Sequence, residues 1–232
     1  MSVRVLGLDI STCTGYGFWD YSRDVSSIEA DVIELPPARS TTVIVKGKEK
    51  RKPDYHWDDW RVAQMGPKIL KLLRHYKPDL VLIEERLRFS KTGDGGFAMT
   101  NALHGAIMAH CCSMGSLFGT IPVSSWRVPA YGEGYQPPLI PDLDRSRNQK
   151  VDPKTGKPLF KAKDWGDIAV DKCAELHMQL PKGADVSHNA AEAALIAMMW
   201  RCQKRISIPE TRAHNRYVEL LQRPRTPREV AA

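Results

Sequence analysis

Three carboxylates in this sequence, Asp9, Glu84 and Glu192, stand where side chains could do chemistry. Asp9 lies near the end of an apolar run over residues 3–10, and Glu84 near the end of another over residues 79–85. Glu192 is the only polar residue between positions 190 and 200. Desolvating an unpaired charge costs several kcal/mol or more, so buried carboxylates need a cationic partner. Each of the three is therefore expected to pair with a basic side chain or to bind a cation.

The two acids at strand ends are expected to meet. Both close apolar segments that are typical of buried strands, and the carboxyl edge of an open α/β sheet is where binding sites usually form. If the two strands are neighbours, Asp9 and Glu84 lie side by side. Glu85 is an alternative to Glu84, because successive side chains of a strand point to opposite faces and only one of the two can face Asp9.

The third acid lies on a predicted helix that is largely apolar. Asn189 and His188 precede Glu192 by three and four positions, so they share a side of that helix with it. If Glu192 faces Asp9 and Glu84, the three carboxylates need a compensating charge. Oxygen ligands of this kind favour Mg²⁺ or Mn²⁺ over zinc. Two such ions about 4 Å apart would activate a water and stabilise the leaving oxygen in phosphodiester hydrolysis. The spacing allows equally that Glu192 pairs with a lysine or arginine in solvent.

Hydrophobic patterning predicts a mixed sheet that would hold these residues. Strands are predicted at 3–9, at 16–21, within 28–35, at 79–85 and at 117–123. Helices are predicted at 58–76, 97–114, 164–180 and 187–205, with Ser187 as an N-cap and a short helix or turn from 124. Three strands joined by turns and followed by βα units imply an α/β fold with helices covering the sheet.

The composition limits the class of protein. With 232 residues, 42% hydrophobic and 26% charged, the chain suits one domain with elaborations or two small ones. A formal charge of +7 indicates a polyanionic partner. Five cysteines without a CxxC pair argue against a disulfide scaffold or a thiolate zinc site and fit a reducing cytosol. The sequence shows neither a secretory signal nor an apolar run of the ~20 residues that a membrane span needs.

Three segments are predicted to lie outside the core. Residues 129–160 contain six prolines and few core residues, which predicts an inserted basic loop. Residues 46–52 are mostly basic and predict a solvated loop or hairpin tip, with phosphate contact as the more specific interpretation. Residues 206–232 are predicted to form a basic C-terminal tail.

Taken together, the motifs resemble those of the RuvC-type Holliday junction resolvases, which belong to the RNase H-like nuclease superfamily. The resemblance rests on the segments 6–11 (LGLDIS), 14–17 (TGYG), 83–85 (IEE) and 189–193 (NAAEA). The order of strands and helices matches along most of residues 1–205. This likeness implies an RNase H-like mixed five-stranded sheet flanked by helices. The insertion at 129–160 and the tail are not typical, as expected of a divergent member such as one encoded by a bacteriophage.

The resemblance also implies roles for particular residues. The first two acids of the family map to Asp9 and Glu84, and its helix motif maps to Asn189 and Glu192. These four are the expected catalytic residues, and the three acids are the expected ligands of two Mg²⁺ or Mn²⁺ ions. Asn189 is neutral where the family carries an acid or histidine, and Glu192 is one methylene longer than the usual aspartate. Asp185 or His188 is therefore an alternative source of the missing ligand.

By the same resemblance, the chain is expected to be a crossover junction endodeoxyribonuclease. It would act on branched DNA as a homodimer, away from membranes, in the cytoplasm of a bacterial cell or of a phage-infected host. The expected nucleic-acid contacts are residues of the loop after Glu84 and two lysines ahead of a helix, where the family has a basic residue near its active site: Arg86, Arg88, Phe89, Lys91, Lys161 and Lys163.

Three other functions remain open at this point. A binding module that kept the fold and lost a metal ligand would account for Asn189. An RNase H-like enzyme acting on RNA would have the same elements. An actin-like ATPase begins with a similar phosphate motif, which residues 11–15 resemble, but 232 residues leave little room for two lobes and no second glycine-rich nucleotide motif is present.

Overall fold

The computed structural model describes residues 2–85, 94–144, 146–209 and 211–223. Its elements follow one another as β1 (Arg4–Asp9), β2 (Cys13–Asp20), β3 (Glu29–Glu34), β4 (Ser40–Val45), β5 (Lys48–Pro53), α1 (Tyr55–Tyr76), β6 (Leu80–Glu84), α2 (Asp94–Ser113), β7 (Phe118–Ile121), α3 (Val123–Tyr131), β8 (Leu139–Pro141), β9 (Phe160–Ala162), α4 (Trp165–Glu175), α5 (Ala184–Met198) and α6 (Thr211–Gln222). Among the described residues, no helix is both long and apolar enough to cross a membrane.

Five strands form one mixed sheet in the order β3-β2-β1-β6-β7. The first three strands pair antiparallel in sequence order, whereas β1, β6 and β7 run parallel and need crossover connections. This confirms the predicted α/β class and mixed five-stranded sheet. The pairs β4–β5 and β8–β9 form two further sheets of two strands each.

Side chains on the central strands alternate between two cores. On β1, Val5 packs with residues of α5, whereas Leu6 and Leu8 pack with residues of α1 and α2. On β6, Leu82 lies on the α5 side and Ile83 on the other. Because side chains of a strand alternate with period two, the last residues of both strands are directed to the α5 side.

The start of α5 differs from the prediction. The helix begins at Ala184, after Gly183, and Ser187 is therefore not its N-cap. The hydroxyl of Ser187 donates to the backbone oxygen of Ala184 at 3.0 Å, inside the first turn. A serine can bond to local backbone groups both as the N-cap and from within the first turn of a helix. The sequence pattern does not distinguish the two positions, and so the prediction placed the helix start too late. The α-helix also ends at Met198, and short 3-10 turns follow it.

The predicted loop over residues 129–160 is only partly a loop. Its first residues belong to α3, and strand β8 pairs antiparallel with β9 at its far end. All side chains of β9 are exposed. Each of the two strands has only three residues, too few for hydrophobic patterning to reveal the pair.

Residues beyond 205 also contain regular structure. Tyr217 on α6 is fully buried, and its hydroxyl donates to the backbone oxygen of Trp200 at 2.6 Å. This part of the predicted basic tail therefore packs against the core as a helix. The domain boundary at 205 stays a prediction.

Candidate metal centre

The carboxylates of Asp9, Glu84 and Glu192 converge at one edge of the sheet. Each offers an oxygen, and these ligand atoms all lie within 4.8 Å of one another. Asp9 is 7% exposed, and the side chain of Glu192 is 16% exposed. We call these three residues the acidic cluster.

The parallel pairing of β1 with β6 brings the first two acids together. Leu8 is level with Ile83, so that Asp9 and Glu84 follow as neighbours at the carboxyl ends of the two strands. Both are directed to the α5 side by the alternation along their strands. The same alternation directs Glu85 elsewhere, and the described cluster contains Glu84.

Helix α5 reaches the cluster because small residues let it lie directly on the sheet. A methyl group added to Gly7 would lie 2.3 Å from the backbone oxygen of Ala193, and one added to Gly15 would lie 1.9 Å from that of Asn189. Backbone-to-backbone packing at such distances is possible only for glycine. It brings Glu192 within reach of two strand ends.

Burial and the charges of neighbouring acids disfavour the charged forms of Asp9 and Glu192. Burial raises the pKa of Asp9 well above its ordinary value, and the charges of Glu84 and Glu192 add to the effect. Burial and the nearby Glu84 raise the pKa of Glu192 to about 7, although Arg127 opposes the shift. The cluster therefore needs more positive charge than Arg127 supplies. Divalent ions that prefer oxygen ligands, Mg²⁺ or Mn²⁺, fit this donor set.

The alternative that Glu192 forms an ordinary ion pair is correct in part, because Arg127 lies beside it. Its guanidinium Nη2 lies 3.5 Å from Oε1 of Glu192, but the pair is mostly buried rather than in solvent. The Nε atom of Arg127 is buried and has no hydrogen-bond partner among the described residues. The guanidinium also lies 4.2 Å from the ring centre of Trp165.

Two buried side chains hold Glu84 in place. The indole Nε1 of Trp126, which is fully buried, donates to Oε1 of Glu84 at 2.8 Å. The ring Nε2 of His104 lies 2.9 Å from the backbone oxygen of Glu84, and its Nδ1 lies 2.9 Å from that of Thr100. Sequence reasoning missed Trp126 and Arg127. Their position could have indicated a role, because both lie on the segment that follows β7, at the sheet edge where Asp9 and Glu84 lie.

We expect Trp126→Phe to weaken Mn²⁺ binding about 10-fold, because groups that orient a metal ligand contribute roughly 10–100-fold to affinity. The substitution removes the indole donor to Glu84 and keeps an aromatic ring in the core. Isothermal titration with Mn²⁺ measures the change. The matched control is Trp200→Phe, since Trp200 is also fully buried and its Nε1 has no hydrogen-bond partner among the described residues. Equal losses of Mn²⁺ affinity in the two variants would contradict a role of Trp126 in positioning Glu84.

The other predicted helix ligands have different neighbours. His188 Nε2 lies 2.9 Å from a carboxylate oxygen of Asp167, and Asp185 is exposed. Asn189 is half-buried and lies near Cys13, and the pKa of the Cys13 thiol is raised chiefly by burial. Among the described acidic, histidine and cysteine side chains, neither Asp185 nor His188 belongs to the cluster. The catalytic role of Asn189 stays a prediction.

The predicted nucleic-acid contacts divide into two groups. Lys161 is exposed on β9, whereas the ammonium of Lys163 forms an ion pair with Asp171. The remaining four lie outside the described residues: Arg86, Arg88, Phe89 and Lys91.

Comparisons with known proteins identify the fold. A scan against protein-family models and a search of curated protein sequences found no match. Among solved structures, RuvC from Thermus thermophilus is 12% identical, covers 89% of this chain and 99% of its own, and aligns with a TM-score of 0.52. This chain has the RuvC fold. The yeast mitochondrial Holliday junction resolvase Ydc2 is 12% identical, with 97% and 82% coverage and a TM-score of 0.50. T. thermophilus RuvC in complex with a Holliday junction substrate is 13% identical, with 94% and 96% coverage and a TM-score of 0.47.

The likeness to RuvC confirms, at the level of the fold, the resemblance carried by the sequence motifs. The aligned region covers 89% of the chain. At 12% identity it shows the fold alone, and the activity has to be inferred from the site itself.

Proposed function

We propose that this chain is a metal-dependent, structure-selective DNA endonuclease that resolves four-way or other branched DNA junctions by phosphodiester hydrolysis. The observation that carries the proposal is the acidic cluster, with its ligand oxygens within 4.8 Å of one another at the carboxyl edge of a RuvC-type sheet. The formal charge of +7 supports a polyanionic substrate. The names of the solved structures with this fold, RuvC and a Holliday junction resolvase, support junction DNA as the substrate.

The residues of the site would share the chemistry as follows. Asp9, Glu84 and Glu192 would hold Mg²⁺ or Mn²⁺. Two divalent ions in such a site supply activation of the attacking water and stabilisation of the leaving oxygen. Trp126 donates to Glu84 and so holds its carboxylate in place. Arg127 lies beside Glu192 and is placed to bind the phosphate at the cluster.

We propose that the β4–β5 hairpin binds a DNA arm. Strand β3 ends at the same edge of the sheet as Asp9, because Cys13 pairs with Glu34 and the amide of Leu35 donates to the backbone oxygen of Thr12. The hairpin therefore extends from the edge that carries the acidic cluster. All side chains of β5 are exposed. Alternation places three lysines on one face of this strand: Lys48, Lys50 and Lys52.

Replacing these three lysines by glutamine should weaken junction binding and lower its salt dependence. Each phosphate contact contributes about 0.9 to the slope of log K against log salt, so that the loss of three lowers the slope by roughly 2.7. Fluorescence anisotropy in EDTA at several salt concentrations measures the junction affinity and its slope. The control is the triple glutamine variant of Lys71, Arg74 and Lys77, which removes the same charge near the opposite edge of the sheet, where α1 ends before β6. Equal slopes for both variants would contradict a DNA-binding hairpin.

A homodimer follows from the same proposal, because symmetric cuts in two strands of a four-way junction need two centres. Sedimentation of the free protein and of the complex with a junction measures the stoichiometry. Two chains per junction is the expected result, and one chain per junction would contradict it.

A comparison of substrates tests the proposed activity. Four-way junction, flap, linear duplex and RNA–DNA hybrid of related sequence are incubated with the protein in Mg²⁺ and in Mn²⁺. Cleavage of the branched DNAs over linear duplex is the expected result. Preferred cleavage of the hybrid would assign the protein to RNA processing, and equal cleavage of duplex and junction would contradict structure selectivity.

The second candidate is a nucleic-acid-binding module without catalysis. Asn189 favours it, because a neutral residue stands where the family motif carries an acid or histidine. Junction binding without cleavage in either ion would support this candidate. The described residues hold one five-stranded sheet and two small hairpins, which leaves the two-lobed actin-like alternative without a second lobe there.

A further inference from the structure

A pocket of about 740 Å³ opens beside the acidic cluster. Arg127 belongs to both places, since it lines the pocket and its Nη2 lies 3.5 Å from Oε1 of Glu192. Glu85, the residue after the metal-ligand candidate Glu84, lines the pocket as well. Anything bound there would therefore lie next to a phosphate held at the cluster.

Two aromatic side chains are among the residues that line the pocket. Tyr135 and Trp165 line the pocket with their ring centres 6.0 Å apart. Tyr135 also stacks on Tyr131, with ring centres 5.2 Å apart and planes inclined by 27°. Arg127 lies over Trp165, so the lining combines flat π faces with a guanidinium plane. Tyr135 remains 38% exposed.

The loop that carries Tyr135 is shaped for this position. Gly132 and Gly134 both have positive φ angles, 97° and 74°, which side chains on other residues disfavour. These two glycines turn the chain after α3 and return Tyr135 toward Trp165. The tyrosine is thus placed by the backbone rather than left on an extended arm.

The chemistry of the lining selects a flat aromatic ligand. The volume of the pocket lies within the range of small-molecule pockets, about 300–1,000 Å³. Arg127 is the only cationic residue among the described lining and Glu85 is acidic, so the pocket is a poor site for a second phosphate. Aromatic rings and arginine planes are the surfaces on which unstacked bases bind. Unstacking costs least for a base that is mismatched or already unpaired.

We propose that this pocket binds one unstacked nucleobase of branched DNA, from a nucleotide adjacent to the scissile phosphate. The inference rests on the proposed function and deepens it, because it assigns to Tyr135 and Trp165 a part in selecting the position of the cut. Tyr135 provides the stacking face, and Arg127 links the bound base to the phosphate at the cluster.

A thermodynamic cycle between protein and DNA tests the inference. The cleavage site on a four-way junction is first mapped in Mg²⁺. Two further junctions are then made, each with one abasic nucleotide, on one side of that site or on the other, and the affinity of the protein for each is measured in EDTA. For the wild-type protein, loss of the bound base should weaken binding roughly 5- to 100-fold. Tyr135→Ala should show a similar loss on the intact junction and little further loss on the abasic one. Tyr135→Phe keeps the ring and should behave as the wild type.

The control is Tyr55→Ala, which removes another exposed tyrosine, outside the pocket lining. Its effect should be the same on intact and abasic junctions. If the losses of affinity caused by Tyr135→Ala and by the abasic nucleotide are independent and multiply, or if neither changes binding, the pocket does not hold a base. That outcome would leave the proposed junction cleavage unaffected. If the wild-type protein neither cleaves junctions nor prefers them over duplex, the proposed function fails, and this inference fails with it.

Discussion

Asp9→Asn is expected to lower the single-turnover rate of junction cleavage in Mg²⁺ at least about 1,000-fold. Metal ions in such sites supply several kcal/mol of transition-state stabilisation, and each ~1.4 kcal/mol corresponds to a tenfold change in rate. Asparagine keeps the size of the side chain and removes the charge that the cluster contributes to cation binding. DNA affinity measured in EDTA should be retained, because Asp9 contributes no positive charge to the DNA surface.

Two measurements separate this loss of chemistry from misfolding. The metal-free variant should be at least as stable as the wild type, because Asp9→Asn removes a charge that burial and two neighbouring acids disfavour. Mn²⁺ should raise the melting temperature of the wild type and leave that of the variant unchanged. The control is Asp79→Asn, since Asp79 lies at the amino end of β6 and pairs with Arg4 and Arg223. A variant at Asp9 that keeps a tenth or more of the wild-type rate would contradict its role as a metal ligand.

The metal-free protein is expected to lose stability as the pH rises from about 4.5 to about 7. In the folded chain the pKa of Glu192 is raised from an ordinary 4.5 to about 7, so that the folded state holds its proton where the unfolded state has lost it. The unfolded state then binds fewer protons, and the free energy of unfolding falls with pH across that window. At ~1.4 kcal/mol per pH unit, Glu192 accounts for a loss of roughly 3 kcal/mol. Asp9 shifts in the same direction and adds to it.

Urea unfolding at several pH values in EDTA measures this loss. Saturating Mg²⁺ should reverse it, because cation binding requires the ionised carboxylates that the metal-free site disfavours. Glu192→Gln should flatten the pH dependence in EDTA, whereas Glu175→Gln, at an exposed position of α4, should leave it unchanged. The same slope in Glu192→Gln and in the wild type would show that the raised pKa of Glu192 is not its cause.

Patterns of period two and period 3.6 were sufficient to predict the central sheet and the edge at which the acids meet. Asp9 and Glu84 could be placed because each closes an apolar strand, and the choice of Glu84 over Glu85 follows from alternation once the register of β1 with β6 is known. Glu192 was recognisable as the one polar residue on a buried stretch of helix. The close approach of α5 depends on three glycines of β1 and β2, Gly7, Gly15 and Gly17.

The remaining features lie outside what such patterns report. Trp126 donates to Glu84 from 42 positions away, and no local spacing encodes a contact at that distance along the chain. Strand β9 has three residues, fewer than the roughly four to eight over which an alternation can be recognised, and it buries none of them. The prediction of Ser187 as the N-cap was wrong because its hydroxyl donates to a backbone oxygen within the helix. Each of these was decided by tertiary contacts or by local alternatives that a single sequence leaves open.

Metal-triggered cleavage of a preformed complex tests the central claim most directly. Wild-type protein is bound to a four-way junction in EDTA, excess Mg²⁺ or Mn²⁺ is added, and the strands are separated on a denaturing gel. Metal-dependent hydrolysis at the acidic cluster predicts intact strands before the addition and nicks close to the branch point after it. Cleavage in EDTA, or a junction that stays bound and intact in both ions, would contradict it.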